Sequence, residues 1–244
     1  SSLCLALAVV CALANAPGAL AQPAPRASVL PTGIAQRPLP PPMLWVRRAA
    51  RRVPLELAAL KIAARVVGHL AETTLTMTFS NPNNAVFEGD LVVPLPEGAT
   101  VSSYGLDIRG RMVDGVVVDK DEGRQVFEKE VRKGIDPGLV EWTRGNNFRT
   151  RVFPIPAKGS RTIRLGYVSE VLADAKGEST YHLPLTFKKK VGSFELRIEV
   201  VKAPAKPRVL QGGPTGLSFN GFRDSYVASS KVRNVTLDKD LYVS

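Results

Sequence analysis

From Leu57 onward, apolar side chains recur at every second position. Leu60, Ile62 and Val66 share one face while Lys61 and Arg65 point the other way. In AETTLTMTF, Ala71, Thr73, Leu75, Met77 and Phe79 alternate with Glu72, Thr74, Thr76 and Thr78. Successive side chains on extended backbone point to opposite faces, so a period of two predicts a half-buried strand. SNPNN (Ser80 to Asn84) supplies turn residues, Phe87, Leu91 and Val93 form the next strand, and PLPEG (Pro94 to Gly98) stops it.

The period changes at DKDEGRQVFEKEVRKG, residues 119–134. Asp119 can cap a helix with Glu122 as its reciprocal partner, acidic residues crowd the first turn, and Arg132 and Lys133 close the last. Val126, Phe127 and Val131 fall on one face, and Gly134 ends the helix. DPGLVEWTRGNNFRTRVFPIP follows. Asp136-Pro137-Gly138 turns the chain, Leu139 to Trp142 begins a strand, RGNN folds it back, and Phe148 to Ile155 returns. Pro154 and Pro156 predict an edge or an early exit from the ladder. Further strands are expected at Ile163–Tyr167, Tyr181–Leu185 and FELRIEVV, with weaker ones near 217–219 and 235–237. Roughly ten closely spaced strands with one inserted helix predict a mainly β fold, an antiparallel β-sandwich rather than βαβ units.

The amino-terminal part lacks this alternation. Residues 1–21 carry no charge and read as a secretory signal, with Ala19-Leu20-Ala21 as cleavage site before Gln22 and Ala14-Asn15-Ala16 as an alternative. An uncleaved anchor is the competing reading. Both cysteines, Cys4 and Cys11, fall inside this segment, so the mature chain would hold no disulfide and no thiol site. Residues 22–54, with eight prolines and the run RRAARR, read as a linker, followed by a domain at 55–187 and a β extension at 188–244 packing on it. The net charge of +11 favours anionic partners such as polysaccharide or lipid, and export makes nucleic acid an unexpected one. Arg47, Arg48, Arg51 and Arg52, with Lys188, Lys189 and Lys190 at a turn, are the candidate polyanion contacts; solvated charge runs are the plainer reading.

Candidate chemistry is sparse. The two histidines, His69 and His182, are expected in different strands, so a zinc site would need carboxylates brought in by folding. There is no G-x-S-x-G elbow, Walker loop or G-x-G-x-x-G, and Asp119–Gly123 fails the EF-hand spacing. No catalytic, metal or cofactor residue is assigned. Trp45 and Trp142 could anchor an interface, although Trp142 alternates with Val140 and reads as core. Asn234-Val235-Thr236 is a sequon of the kind that chance also produces.

Several segments, in order, resemble the VIT domain, the module named after vault protein and the inter-alpha-trypsin inhibitor heavy chains. TMTFSNP carries Phe79 and Asn81; VVPLPEGATV carries Pro94 and Pro96; GLDIRG follows. The segment expected to be helical carries Phe127 and Gly134. GLVEWTRGNNFRTRVFPIPAKGSRTIRLGYV carries Leu139, Glu141, Asn146, Phe148, Val152, Ile155 and Tyr167. The resemblance covers about Leu60 to Phe187. Gly123 replaces the family's usual Ala, at a cost of about 1 kcal/mol to the helix, and Pro156-Ala157-Lys158 lacks its second Pro. The resemblance implies a mainly β fold with one helix, no catalytic residues, and a von Willebrand A domain downstream with an Asp-x-Ser-x-Ser metal site. No such run occurs in this sequence, so a longer protein is expected. The matched positions read as structural; a buried Glu141 would need a partner such as Arg151 or a backbone turn. The expected function is that of an exported, non-enzymatic protein–protein interaction module presenting a downstream adhesion-type domain. The rivals are a binder of anionic envelope polysaccharide or lipid, and a hydrolase built on His69 or His182.

Overall fold

The computed structural model describes residues 39–49, 51–115, 146–173, 178–187 and 190–244. The expected leader, the helix at 119–134, Phe127, Gly134, Leu139, Glu141, Trp142, Lys188 and Lys189 lie outside these residues. The described chain runs through β1 (Met43–Arg48), β2 (Arg51–Pro54), β3 (Glu56–Val67), β4 (Leu70–Asn81), β5 (Phe87–Pro94), β6 (Thr100–Ile108), β7 (Arg111–Asp114) and β8 (Asn147–Ile155). It continues through β9 (Gly159–Glu170), β10 (Leu172–Ala173), β11 (Ser179–Leu183), β12 (Val191–Val201), β13 (Val209–Gln211), β14 (Asn220–Phe222), β15 (Ser225–Val235) and β16 (Leu241–Val243).

The strands form three sheets. An eight-stranded sheet has the order β14-β15-β12-β3-β4-β9-β6-β7; two four-stranded sheets have the orders β2-β1-β5-β8 and β10-β11-β16-β13. Pairing is antiparallel with one exception: β12 runs parallel to β3, from Ser193 opposite Ala59 to Val201 opposite Val67. The mainly β architecture is the expected one, with this mixed pairing added.

Alternation explains the layering. On β3, Leu60, Ile62, Ala64 and Val66 are buried while Lys61 and Arg65 are exposed. Across the same face, Met77 and Phe79 of β4, Ile163 and Leu165 of β9, and Phe194 and Ile198 of β12 are inaccessible to solvent. They share one core with Leu44, Val46, Leu91, Val93, Val152 and Ile155 of the first four-stranded sheet and with Leu183, Leu241 and Val243 of the other. Removing side chains of this size from water stabilises by about 1.5–3 kcal/mol each.

Three expectations change. Residues 43–54, assigned to the linker, form a hairpin: β1 pairs with β2 and also with β5, placing Leu44 opposite Leu91. Four arginines dominate the composition there, but Leu44 and Val46 reach the core from one side of the strand. Near the carboxyl end the strands are Asn220–Phe222, Ser225–Val235 and Leu241–Val243 rather than 217–219 and 235–237. His69 lies in the turn between β3 and β4, not in a strand.

Candidate interaction surfaces

Several motif positions hold the backbone in place. Asn81, at the end of β4, is 1% exposed. Its Nδ2 donates to the carbonyls of Ala85 and Pro156, each at 2.9 Å, and its Oδ1 accepts from the Asn83 amide at 3.1 Å. One side chain thereby fixes the SNPNN turn and joins it to the segment after β8. Asn146 does the same for PLPEG: its Nδ2 donates to the carbonyls of Pro96 at 3.0 Å and Ala99 at 2.5 Å, while its own carbonyl accepts from the Leu95 amide. Pro94 closes β5 and Pro96 is buried beside it. Phe79, Val152, Ile155 and Tyr167 lie in the core. Phe148 packs against Tyr104 with ring centroids 5.5 Å apart. Arg151 pairs with Glu88 at 3.1 Å; Glu141 is outside the described residues.

Two buried polar groups were not singled out from sequence. Arg161 of β9, 6% exposed, donates to the carbonyls of Asp107 and Pro154 and so ties β6 to β8. Its place on the same strand face as Ile163 and Leu165 was the available signal. Asp240, 5% exposed, accepts from His182 Nε2 at 2.9 Å through Oδ2. Its Oδ1 accepts from the Leu185 and Thr186 amides and the Thr186 hydroxyl. Burial pushes the Asp240 carboxyl up, but the donors from His182, Thr186 and Leu185 outweigh it and hold the group below its ordinary value. His182 also stacks on Tyr242 at 4.6 Å. Tyr181 shares a 2.8 Å hydrogen bond with Thr73, and burial raises the Tyr181 and Tyr167 phenols well above their usual range. These groups bond inward. His182 is 8% exposed in β11 against Asp240, whereas His69 lies in the β3–β4 turn, where its carbonyl accepts from the Val171 amide. Among the described residues no group of three His, Cys, Asp or Glu side chains is arranged to hold a metal ion.

The accessible chemistry lies on the outer sheet faces. The eight-stranded sheet exposes Lys61, Arg197 and Lys231 around Glu195, which lies 2.5 Å from Lys231 and 3.9 Å from Lys61. The Lys231 hydrogen bond and charge hold the Glu195 carboxyl below its ordinary value. A shallow depression of about 280 Å³ opens over these residues. The candidate cations separate: Arg47, Arg48, Arg51 and Arg52 form the β1–β2 hairpin, whereas Lys190 immediately precedes β12 in the eight-stranded sheet.

Comparison with known proteins agrees with this architecture. The chain is 25% identical over 118 residues to mouse protein mono-ADP-ribosyltransferase PARP4, covering 48% of this chain and 6% of that one. It is 23% identical over 188 residues to human von Willebrand factor A domain-containing protein 5A, covering 75% of this chain and 24% of the relative. It is 26% identical over 148 residues to human inter-alpha-trypsin inhibitor heavy chain H2, covering 58% and 13%. The chain thus spans at most a quarter of these relatives. A crystal structure of a candidate nutrient-binding protein from Legionella pneumophila superposes with a TM-score of 0.53 at 14% identity, covering 84% of this chain and 69% of that one, which bears on the fold alone. The family model described as "Vault protein inter-alpha-trypsin domain" matches residues 57–167, from the start of the long β3 strand to the buried Tyr167. Residues 57–167 of this chain are a VIT domain.

Proposed function

We propose that the chain is an exported, non-enzymatic scaffold of the cell envelope or the extracellular space, and that its VIT domain presents a downstream adhesion-type von Willebrand A domain to a protein partner. The observation that carries this reading is the similarity to a human protein named for its von Willebrand A domain, which extends over 188 residues and beyond the VIT match itself. The side chains support it physically: Asn81, Asn146, Arg161 and Asp240 spend their hydrogen bonds on fixing backbone. A body held this way gives a neighbouring domain a stiff base.

The reading frame beyond Ser244 tests the proposal first. An Asp-x-Ser-x-Ser run is expected downstream, and a frame without one overturns it. Where the run is present, hydrogen exchange of the longer protein is compared with that of a version lacking the added domain. Slower exchange at outer-face strands of the VIT domain is expected in the longer protein, and identical exchange refutes contact. Export is tested by sequencing the amino terminus of the secreted product. Gln22 is the expected first residue, and retention of Ser1 to Ala21 counts against cleavage.

A further inference from the structure

We propose that the outer face of the β2–β1–β5–β8 sheet, together with the end of its β1–β2 hairpin, docks onto an anionic phospholipid membrane, its arginines meeting headgroup phosphates and Phe153 entering the interfacial layer. This rests on neither the downstream domain nor the partner proposed above.

The first observation is an electrostatic conflict inside the hairpin. Arg47 is the cross-strand partner of Arg52, and Arg48 of Arg51. Like charges placed directly opposite each other are unfavourable; the Arg47–Arg52 rung lies on the outer face with Trp45 and the Arg48–Arg51 rung on the side of Leu44 and Val46, so both put positive potential at the hairpin end. Arg52 is partly relieved by Asp90 at 2.5 Å. Arg47, Arg48 and Arg51 are exposed, and no ion pair among the described residues involves them. Trp45, Asp90 and Arg151 follow one another across the same face, where Arg151 meets Glu88 at 3.1 Å, so the face mixes arginines with two carboxylates and its unpaired positive charge lies at the hairpin end.

The second observation is apolar. Phe153, two residues beyond Arg151, is 61% exposed; Val86, which precedes the Phe87–Ile155 pair at the same end, is 56% exposed. An exposed ring on the face that carries Arg47 and Arg151 matches a bilayer surface, where the cations meet phosphate and the ring is taken into the boundary layer. An acidic polysaccharide chain is the rival occupant. A polymer favours a cleft to lie in, and the depression over Lys61, Glu195 and Lys231 is on the eight-stranded sheet rather than on this face.

Vesicle co-sedimentation of the full chain tests this, with phosphatidylglycerol mixed into phosphatidylcholine against phosphatidylcholine alone. Residues 1–21 are uncharged and largely apolar and are expected to respond to either bilayer alike, so the readout is the increment due to phosphatidylglycerol. The R47E/R51E/R151E variant is expected to reduce that increment at least about a hundredfold. Phe153→Ser is expected to weaken binding about tenfold, with the loss persisting at high salt. Circular dichroism verifies that each variant is folded, and the Phe153 substitution leaves the hairpin intact. The proposal is overturned if the triple variant binds as the parent does. It is equally overturned if R65E/R111E/R233E on the eight-stranded sheet causes the same loss, or if soluble dextran sulfate holds the arginine face against excess phosphatidylglycerol vesicles.

Discussion

Asn81 shows how one side chain can stand in for a strand's worth of pairing. Its amide satisfies two carbonyls from different segments, and its oxygen takes the Asn83 amide. Asn81→Ala should destabilise by about 2–3 kcal/mol, because the carbonyls lose their donor in a buried place. Asn81→Asp should rescue little, since a carboxylate cannot donate; urea unfolding of both variants measures this. Asp240 carries a pH dependence of definite sign. Its carboxyl is held below the ordinary value in the fold, so the unfolded chain takes up the proton more readily on acidification. Its contribution is therefore complete above the usual carboxylate range and disappears as pH falls through the folded value. Urea midpoints from neutral pH down to about pH 3 should fall for the parent. Asp240→Asn should start lower and show a flatter acid limb. Asn81 and Asn146 were legible as motif positions, and Arg161 was legible in principle as a charge on an apolar face. Asp240 was not legible: in LDKDLYVS it looks like one more solvated charge, and only the fold brings His182 and Thr186 to it.

At the scale of elements, close backbone approach sets firm limits. Gly212, just after β13, has φ +72°, and a Cβ there would lie 2.1 Å from the Asp240 carbonyl oxygen. Gly68, in the β3–β4 turn, has φ +57° with open space around the missing side chain. Gly68→Ala should cost about 1 kcal/mol of backbone strain, while Gly212→Ala should cost well over about 2 kcal/mol because two backbone segments must separate. Thermal denaturation of the pair distinguishes strain from collision. The same contrast between local and distant causes explains which strands could be read from sequence. β3, β4 and β9 alternate cleanly because each has one face in the core. β15 reads SYVASSKVRNV, with Ala228 as its only fully buried apolar residue, so its register comes from pairing with β12 rather than from its own pattern. β1 and β2 were obscured by the charge of their own hairpin. Leu44 and Val46 were the only apolar residues of the pair to reach full burial, too few to mark a period.

For the whole molecule, β1 is part of the folded body rather than of a linker. It lies between β2 and β5, and Leu44 and Val46 are 0% and 1% exposed. A chain beginning at Leu55 loses both side chains from the core and uncovers the β5 edge, a loss of about 4 kcal/mol from apolar area alone. That is a large part of a typical domain's stability, so the truncated chain should melt far below the parent in a calorimeter. The parallel β3–β12 pairing has a different consequence, one of timing. A ribosome delivers β3 early, but the strand that covers its flank emerges only about 120 residues later. Until then the nascent polypeptide carries an unfinished, partly apolar edge that is open to neighbouring chains. Slow translation or a shortage of chaperones should therefore lower the yield of this protein more than that of a sheet built from hairpins in order.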